Sequence, residues 1–127
     1  MAGASTAPGG VLIDWWDNAN ANQDWIFHHV ISSTGEYYEI INQNSQMCLT
    51  SDGVAGAQVC QEPCDPGNTY GQIWYTGLNP SSSDAWSIEN VDSGLYLDVS
   101  GDDPFPDTAI DTWPSNGGAN QYFAIDN

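Results

Sequence analysis

Acids, aromatic rings and side-chain amides recur together along this chain. Asp14 and Trp16 stand ahead of Asn22 and Gln23, and Asp98, Asp111 and Trp113 stand ahead of Asn120 and Gln121. A carboxylate accepts hydroxyl hydrogen bonds, an amide both donates and accepts, and an aromatic face packs on C–H groups. Together they suit a ring that carries many hydroxyls. Two carboxylates can also run glycoside hydrolysis, but none of the 17 acids follows a recognisable spacing. Gly-x-Ser-x-Gly, His-Glu-x-x-His and phosphate-loop motifs are all absent. No catalytic residue is expected, and the chain reads as a non-enzyme.

Cys48, Cys60 and Cys64 are an odd number of thiols, and the only histidines, His28 and His29, are adjacent. That set does not readily close a four-ligand zinc site, so neither metal nor cofactor is expected. A disulfide between two of the three is the better reading, and it points to an oxidising compartment and a secreted, extracellular protein.

Something must position these side chains, and the first clue is a repeat. Gln23-Asp24-Trp25, Gln72-Ile73-Trp74 and Gln121-Tyr122-Phe123 are separated by 49 residues each time (72−23 and 121−72). Their surroundings repeat as well. Glu39-Ile40-Ile41-Asn42 followed by Ser45 to Thr50 lines up with Ser87-Ile88-Glu89-Asn90 followed by Ser93 to Asp98, and Ile13-Asp14-Trp15-Trp16 matches Ile110-Asp111-Thr112-Trp113. Within each copy the apolar runs are short, β-branched or aromatic, and bounded by Gly, Asn, Asp, Ser and Pro clusters. That is strand-and-turn chemistry. No window of helical periodicity is capped at both ends, and the expected class is all-β.

The layout of residues 88–123, Ile-x-Asn, then Ser-Gly-x-x-Leu-Asp-Val, then Ile-x-x-Trp, then Asn-Gln-x-aromatic, resembles one repeat of the ricin B-chain lectin family, whose members carry QxW repeats. The resemblance implies a β-trefoil with pseudo-three-fold repeats over residues 1–127, four strands to a repeat, two in a barrel and two in a cap of hairpins. Repeat 2 would run from 36 to 76 and repeat 3 from 84 to 126. The first repeat reads as incomplete, holding only its rear half from 10 to 27, so about ten of twelve strands are expected and the barrel is left with a gap. Pro8 leaves the first residues little regular ladder to offer that barrel.

The resemblance also assigns roles. In the third repeat Asp98 would anchor the sugar, Asp111 would be the second polar ligand, Trp113 the stacking platform and Asn120 a further hydroxyl ligand, with Gln121 supporting the network. A second sugar site would use Asp14, Trp16, Asn22 and Gln23, without an anchoring acid, and a register shifted by one would put Trp15 in the platform role. The second repeat offers Thr50, Cys60, Glu62 and Gly71 at these places and should bind nothing. Trp25, Trp74 and Phe123 are expected in the core, and Tyr37, Tyr38, Tyr75, Trp86 and Tyr96 as strand packing. His28 and His29 should be exposed loop residues. The Cys and Pro-Cys layout resembles the family's within-repeat bridge and implies a Cys48–Cys64 disulfide with Cys60 free.

The chain has no Lys or Arg and a formal charge of −17. Nothing can neutralise phosphates, so nucleic acid and anionic membranes are excluded as partners, and no apolar run approaches the roughly 20 residues of a membrane span. Met1 to Gly10 has neither the basic head nor the apolar run of a signal peptide. The leading expectation is a non-catalytic carbohydrate-binding, lectin-like module with glycans or polysaccharide as partners. The alternative is a structural or assembly subunit of an extracellular oligomer or filament, in which a neighbouring strand completes the open barrel edge and the chain self-associates.

Overall fold

A computed structural model describes residues 6–10, 25–32, 35–65, 70–78, 85–100, 109–116 and 118–124. Its strands are β1 (Trp25–Ser32), β2 (Gly35–Asn42), β3 (Cys48–Thr50), β4 (Cys60–Glu62), β5 (Trp74–Leu78), β6 (Ala85–Asn90), β7 (Tyr96–Val99), β8 (Ile110–Trp113) and β9 (Phe123–Ala124). Single 3-10 turns at Tyr70–Gln72 and Ala119–Gln121 precede β5 and β9, and no α-helix occurs among the described residues. All pairings are antiparallel, in the order β4-β3-β2-β5-β6-β7-β8, with β1 also on β2 and β9 also on β6. The expected strand around Ile13 to Trp16 lies outside the described residues.

The sequence repeat becomes a repeat of register. Trp25 faces Asn42 as Trp74 faces Asn90, and Trp74 faces Tyr38 as Phe123 faces Trp86. Ile41 faces Cys48 as Glu89 faces Tyr96, and Thr50 faces Cys60 as Asp98 faces Asp111. The turns repeat too. Asn42 donates its N–H to the Met47 carbonyl at 2.9 Å, and Asn90 to that of Leu95 at 2.8 Å. Each Asn side-chain oxygen accepts a turn N–H three residues on, from Ser45 or Ser93. Asn tightens such turns because its side chain can mimic a backbone acceptor.

Alternation along the strands sends every second side chain inward. Ile40, Leu49, Val59, Trp74, Ile88, Leu97 and Ile110 form the buried core, with Trp25, Phe27, Val99 and Phe123 packed against it. The triplet aromatics are thus core residues, as the sequence indicates. Trp74 is fully buried, and its indole Nε1 donates to the Leu49 carbonyl at 3.0 Å, leaving no buried donor unmet.

Cys48 and Cys64 are bonded, with Cα atoms 5.0 Å apart, and Cys60 is free. The segment around Gly9 lies on β4. Gly9 donates to the Gln61 carbonyl at 2.7 Å, Gln61 donates to that of Gly10 at 2.8 Å, and the Gln61 amide donates to that of Ala7 at 3.0 Å. The described part of the arm, at Ala7, Gly9 and Gly10, therefore does pair with its own chain, on the β3–β4 hairpin. Pro8 does not prevent this, because the ladder uses the amides of Gly9 and Gln61 and leaves residue 8 without a donor to supply.

One expectation about position is corrected. His28 and His29 sit in the middle of β1 and not in a loop, because β1 continues to Ser32 before the chain turns into β2. Both are exposed, and His28 Nδ1 lies 3.2 Å from Glu39 Oε1 on the neighbouring strand.

Candidate functional site

The β7–β8 hairpin carries the site. Its register sets Asp98 opposite Asp111 and Tyr96 opposite Trp113, so both pairs share one face of the hairpin. Between them Leu97 and Thr112 point into the protein and are buried. Asp98 and Asp111 are themselves nearly inaccessible, at 4 % and 7 %, whereas Trp113 is 45 % exposed. The result is an exposed ring beside a floor of two carboxyl groups.

The 3-10 turn at Ala119–Gln121 closes over that floor. Asp98 Oδ2 accepts from Gln121 Nε2 at 2.8 Å and from Asn120 Nδ2 at 3.1 Å. Asn120 also donates to the Val99 carbonyl at 3.2 Å and Gln121 to that of Pro114 at 2.9 Å, while the Gln121 oxygen accepts from the Asn116 N–H at 3.0 Å. Two amide donors on one oxygen hold the Asp98 carboxylate in a single orientation. Asp98, Asp111, Trp113, Asn120 and Gln121 are therefore brought together as one constellation.

The two acids perturb each other. Burial, then the charge of Asp98 and a hydrogen bond shared with it, push the Asp111 carboxyl up to about 6, against smaller opposing bonds from Ser100 and its own backbone. Its Oδ1 atom is buried and has no hydrogen-bond partner among the described residues. A buried acceptor left unmet costs free energy, and a ligand hydroxyl would relieve it.

Residues beyond the sequence-derived set complete the arrangement. Trp113 is backed by Gly56, where an added methyl carbon would sit 3.3 Å from the Trp113 Cζ3 atom, and Gly56 donates its N–H to the Thr112 carbonyl at 2.7 Å. At φ +84° this position also favours glycine. Gly56 belongs to the loop between β3 and β4, so nothing in the third repeat announces it. At Gly118 an added carbon would sit 2.6 Å from Asn120 Oδ1, so a side chain there would push that amide aside. Ser100, just past the end of β7, bonds to Asp111.

The second repeat has the same scaffold and different chemistry. Gln72 Nε2 donates to Thr50 Oγ1 at 3.2 Å and to the Pro63 carbonyl at 3.0 Å, as Gln121 does to Asp98 and Pro114. Cys60 stands opposite Thr50 where Asp111 stands opposite Asp98. Burial, then the nearby charges of Glu62 and Asp52, raises its thiol above the ordinary range, which keeps it protonated. At Gly71, the counterpart of Asn120, any side chain would meet the Ser51 carbonyl at 2.7 Å. The hairpin has Thr50 where the anchoring acid would be and Glu62 in place of an aromatic platform, since Glu62 faces Cys48 as Trp113 faces Tyr96. Asp14, Trp15, Trp16, Asn22 and Gln23, the residues of the expected first-repeat site, lie outside the described residues.

The model of the family described as ricin-type β-trefoil lectin domain-like matches residues 1–62, 21–113 and 70–127, and so the whole chain. The chain belongs to this family. Among solved structures it is similar to ThreeFoil, a designed three-fold symmetric protein, at TM-score 0.85 and 23 % identity over 99 % of this chain and 88 % of that one. It is also similar to the exo-β-1,3-galactanase 1,3Gal43A from Clostridium thermocellum, at TM-score 0.73 and 24 % identity over 85 % of this chain and 23 % of that one. A third match is the hemolytic lectin CEL-III, at TM-score 0.60 and 24 % identity over 97 % and 32 %. The chain thus spans less than a third of the galactanase and about a third of CEL-III. No curated protein matches it. The architecture is a β-trefoil, and membership of a lectin-type family supports a carbohydrate-binding role. Family members are generally non-catalytic, which fits the absence of any catalytic motif in the sequence.

Proposed function

We propose that this trefoil is a non-catalytic carbohydrate-binding module whose principal site is in the third repeat. The sugar ring stacks on Trp113, Asp98 and Asp111 take its hydroxyls, Asn120 contributes a further polar contact, and Gln121 holds Asp98. The observation that carries this reading is the pairing of an exposed ring with a buried acceptor, Asp111 Oδ1, that has no partner among the described residues. An ordinary surface Trp would need no such acceptor beside it, and an ordinary buried acid would have its oxygens met. With −17 charge and no Lys or Arg, uncharged glycans are the expected ligands, because anionic ones would be repelled. The disulfide and the lack, among the described residues, of any helix able to cross a membrane fit a secreted protein. We read residues 1–127 as one domain, with repeats at 10–27, 36–76 and 84–126.

A glycan array at near-neutral pH tests the reading. The parent should bind uncharged glycans, and Trp113→Ala should abolish measurable binding without unfolding the protein, since its ring is half exposed. Trp74→Ala is the contrast. Removing that fully buried indole should cost about 3–5 kcal/mol of stability in chemical denaturation. A Trp113→Ala protein that binds as the parent does would remove the site from the third repeat.

A second reading, assembly, draws on one feature. A strand from another copy could add to β1, which among the described residues pairs only with β2, or to β9, which among them pairs only with β6. Light scattering decides it, since a mass of a single 13.7 kDa chain across concentrations would end this reading.

A further inference from the structure

A row of cross-strand partners runs through the sheet from the Trp113 site. Trp113 on β8 faces Tyr96 on β7, Tyr96 faces Glu89 on β6, Glu89 faces Tyr75 on β5, and Tyr75 faces Tyr37 on β2. Directly paired residues put their side chains on the same side of a sheet. The inward neighbours Thr112, Leu97, Asn90 and Trp74 are all buried, so this row faces outward. Tyr75 is 45 % exposed, like Trp113, and Tyr37, Glu89 and Tyr96 are partly exposed. The expectation that Tyr75 is strand packing is therefore corrected, because it takes the outward place next to Trp74.

The far end of the row is hollow. Tyr37, Tyr75, Glu89 and Val91 line an open groove of about 240 Å³. The two Tyr rings meet edge to face, with centroids 6.3 Å apart and planes at 68°, which fixes each ring against the other. Tyr96 is hydrogen-bonded to Glu89, and that bond, after burial, helps raise its phenol. The carboxylate is thus held between the groove and the Trp113 side. Rings, phenols and one fixed carboxylate are the same chemistry as the third-repeat site, in a separate place.

We propose that Tyr37, Tyr75 and Glu89 form a second sugar subsite, and that Tyr96 joins it to Trp113 so that one uncharged glycan chain lies across the strands. This rests on the reading that Trp113 binds sugar. Four strand steps at about 4.8 Å separate β2 from β8 along the row, a span on the order of 20 Å, which matches a chain of several rings and not a single one. The occupant is a glycan because the row alternates apolar faces with hydroxyl-binding groups and is continuous with the first site.

The test uses soluble uncharged polysaccharides (β-1,3-galactan, arabinoxylan and β-1,3-glucan) and their disaccharides, titrated into the parent and into Tyr75→Ala, Glu89→Gln and Trp113→Ala proteins of verified thermal stability. The parent should bind at least one polymer about tenfold more tightly than its disaccharide. Tyr75→Ala and Glu89→Gln should erase that gain and leave disaccharide binding unchanged, while Trp113→Ala loses the disaccharide. If Tyr75→Ala and Glu89→Gln bind polymer as the parent does, or the parent shows no preference for polymer, the subsite is refuted while the Trp113 site stands. A parent that binds none of these probes overturns both.

Discussion

Asp111 faces Asp98 directly across β7 and β8 in a place with almost no access to water. Two carboxylates so placed cannot both ionise cheaply, and Asp111 rises from 3.8 to about 6. The folded state therefore holds this proton more tightly than the unfolded chain does. The stabilisation is fully present below about pH 4, falls as the unfolded chain ionises, and is lost once pH has risen through about 6. Replacing Asp111 by Asn removes the repulsion and gives Asp98 an amide donor. The stability of Asp111→Asn relative to the parent should improve between pH 4 and pH 8 by about 2 kcal/mol, since one pKa unit is worth about 1.4 kcal/mol. Denaturation curves at the two pH values check this, and a difference that does not change with pH would show that the pair is not coupled. Glycan binding should weaken in the same variant, because an Asn cannot match the acceptor strength of a carboxylate.

The hairpin turns show at the scale of elements how far the sequence could be read. Asn42 and Asn90 announce the same turn, and the paired registers follow from it. Asp98, Asp111, Trp113, Asn120 and Gln121 were legible because each sits at a fixed offset inside a repeat that folds the same way twice. Gly56 was not, since its contact with Trp113 joins two repeats, and neither was Tyr75, whose outward direction depends on alternation from the buried Trp74. The β1 histidines were misplaced for a related reason. Nothing local shows that β1 runs eight residues, Trp25–Ser32. One turn carries a residue poorly suited to it. Gln46 has φ 61° where its counterpart Gly94 has φ 70°. A side chain in the left-handed region costs about 1 kcal/mol, offset in part by the Gln46 amide donating to the Gln43 carbonyl at 2.8 Å. Gln46→Gly should raise stability by about 0.5 kcal/mol, and Gly94→Ala should lower it by about 1 kcal/mol. Thermal unfolding of both variants checks the pair, and a Gln46→Gly protein that melts lower would mean that the side-chain bond outweighs the backbone strain.

Over the whole molecule the charge sets how stability responds to solvent. Seventeen acids and no Lys or Arg leave the His28–Glu39 contact as the one place among the described residues where a side chain able to carry positive charge meets a carboxylate. Cohesion must come from the buried aliphatic and aromatic core, the repeated side-chain hydrogen bonds and the Cys48–Cys64 bridge, which closes a loop worth roughly 3 kcal/mol on a chain-entropy basis. Against these stands mutual repulsion of the carboxylates, which the unfolded chain relieves by spreading them apart. In 0.01 M salt the screening length is about 30 Å, larger than this domain's radius, and at 0.5 M it has fallen to a few ångströms. Sodium chloride should therefore stabilise the protein monotonically at pH 8. A gain on the order of 1–2 kcal/mol would raise the melting temperature by about 5 °C for a domain of this size. Binding of an uncharged glycan should hardly change over the same range, since no counterion is released. Melting curves and titrations at 0.01, 0.1 and 0.5 M sodium chloride at pH 8 read both effects. A melting temperature that falls with salt would mean that favourable ion pairs govern this fold, which a chain with no basic side chain beyond two histidines cannot supply. Binding that collapses with salt would instead point to a cationic ligand drawn by the acidic surface, and the uncharged glycan would have to be given up.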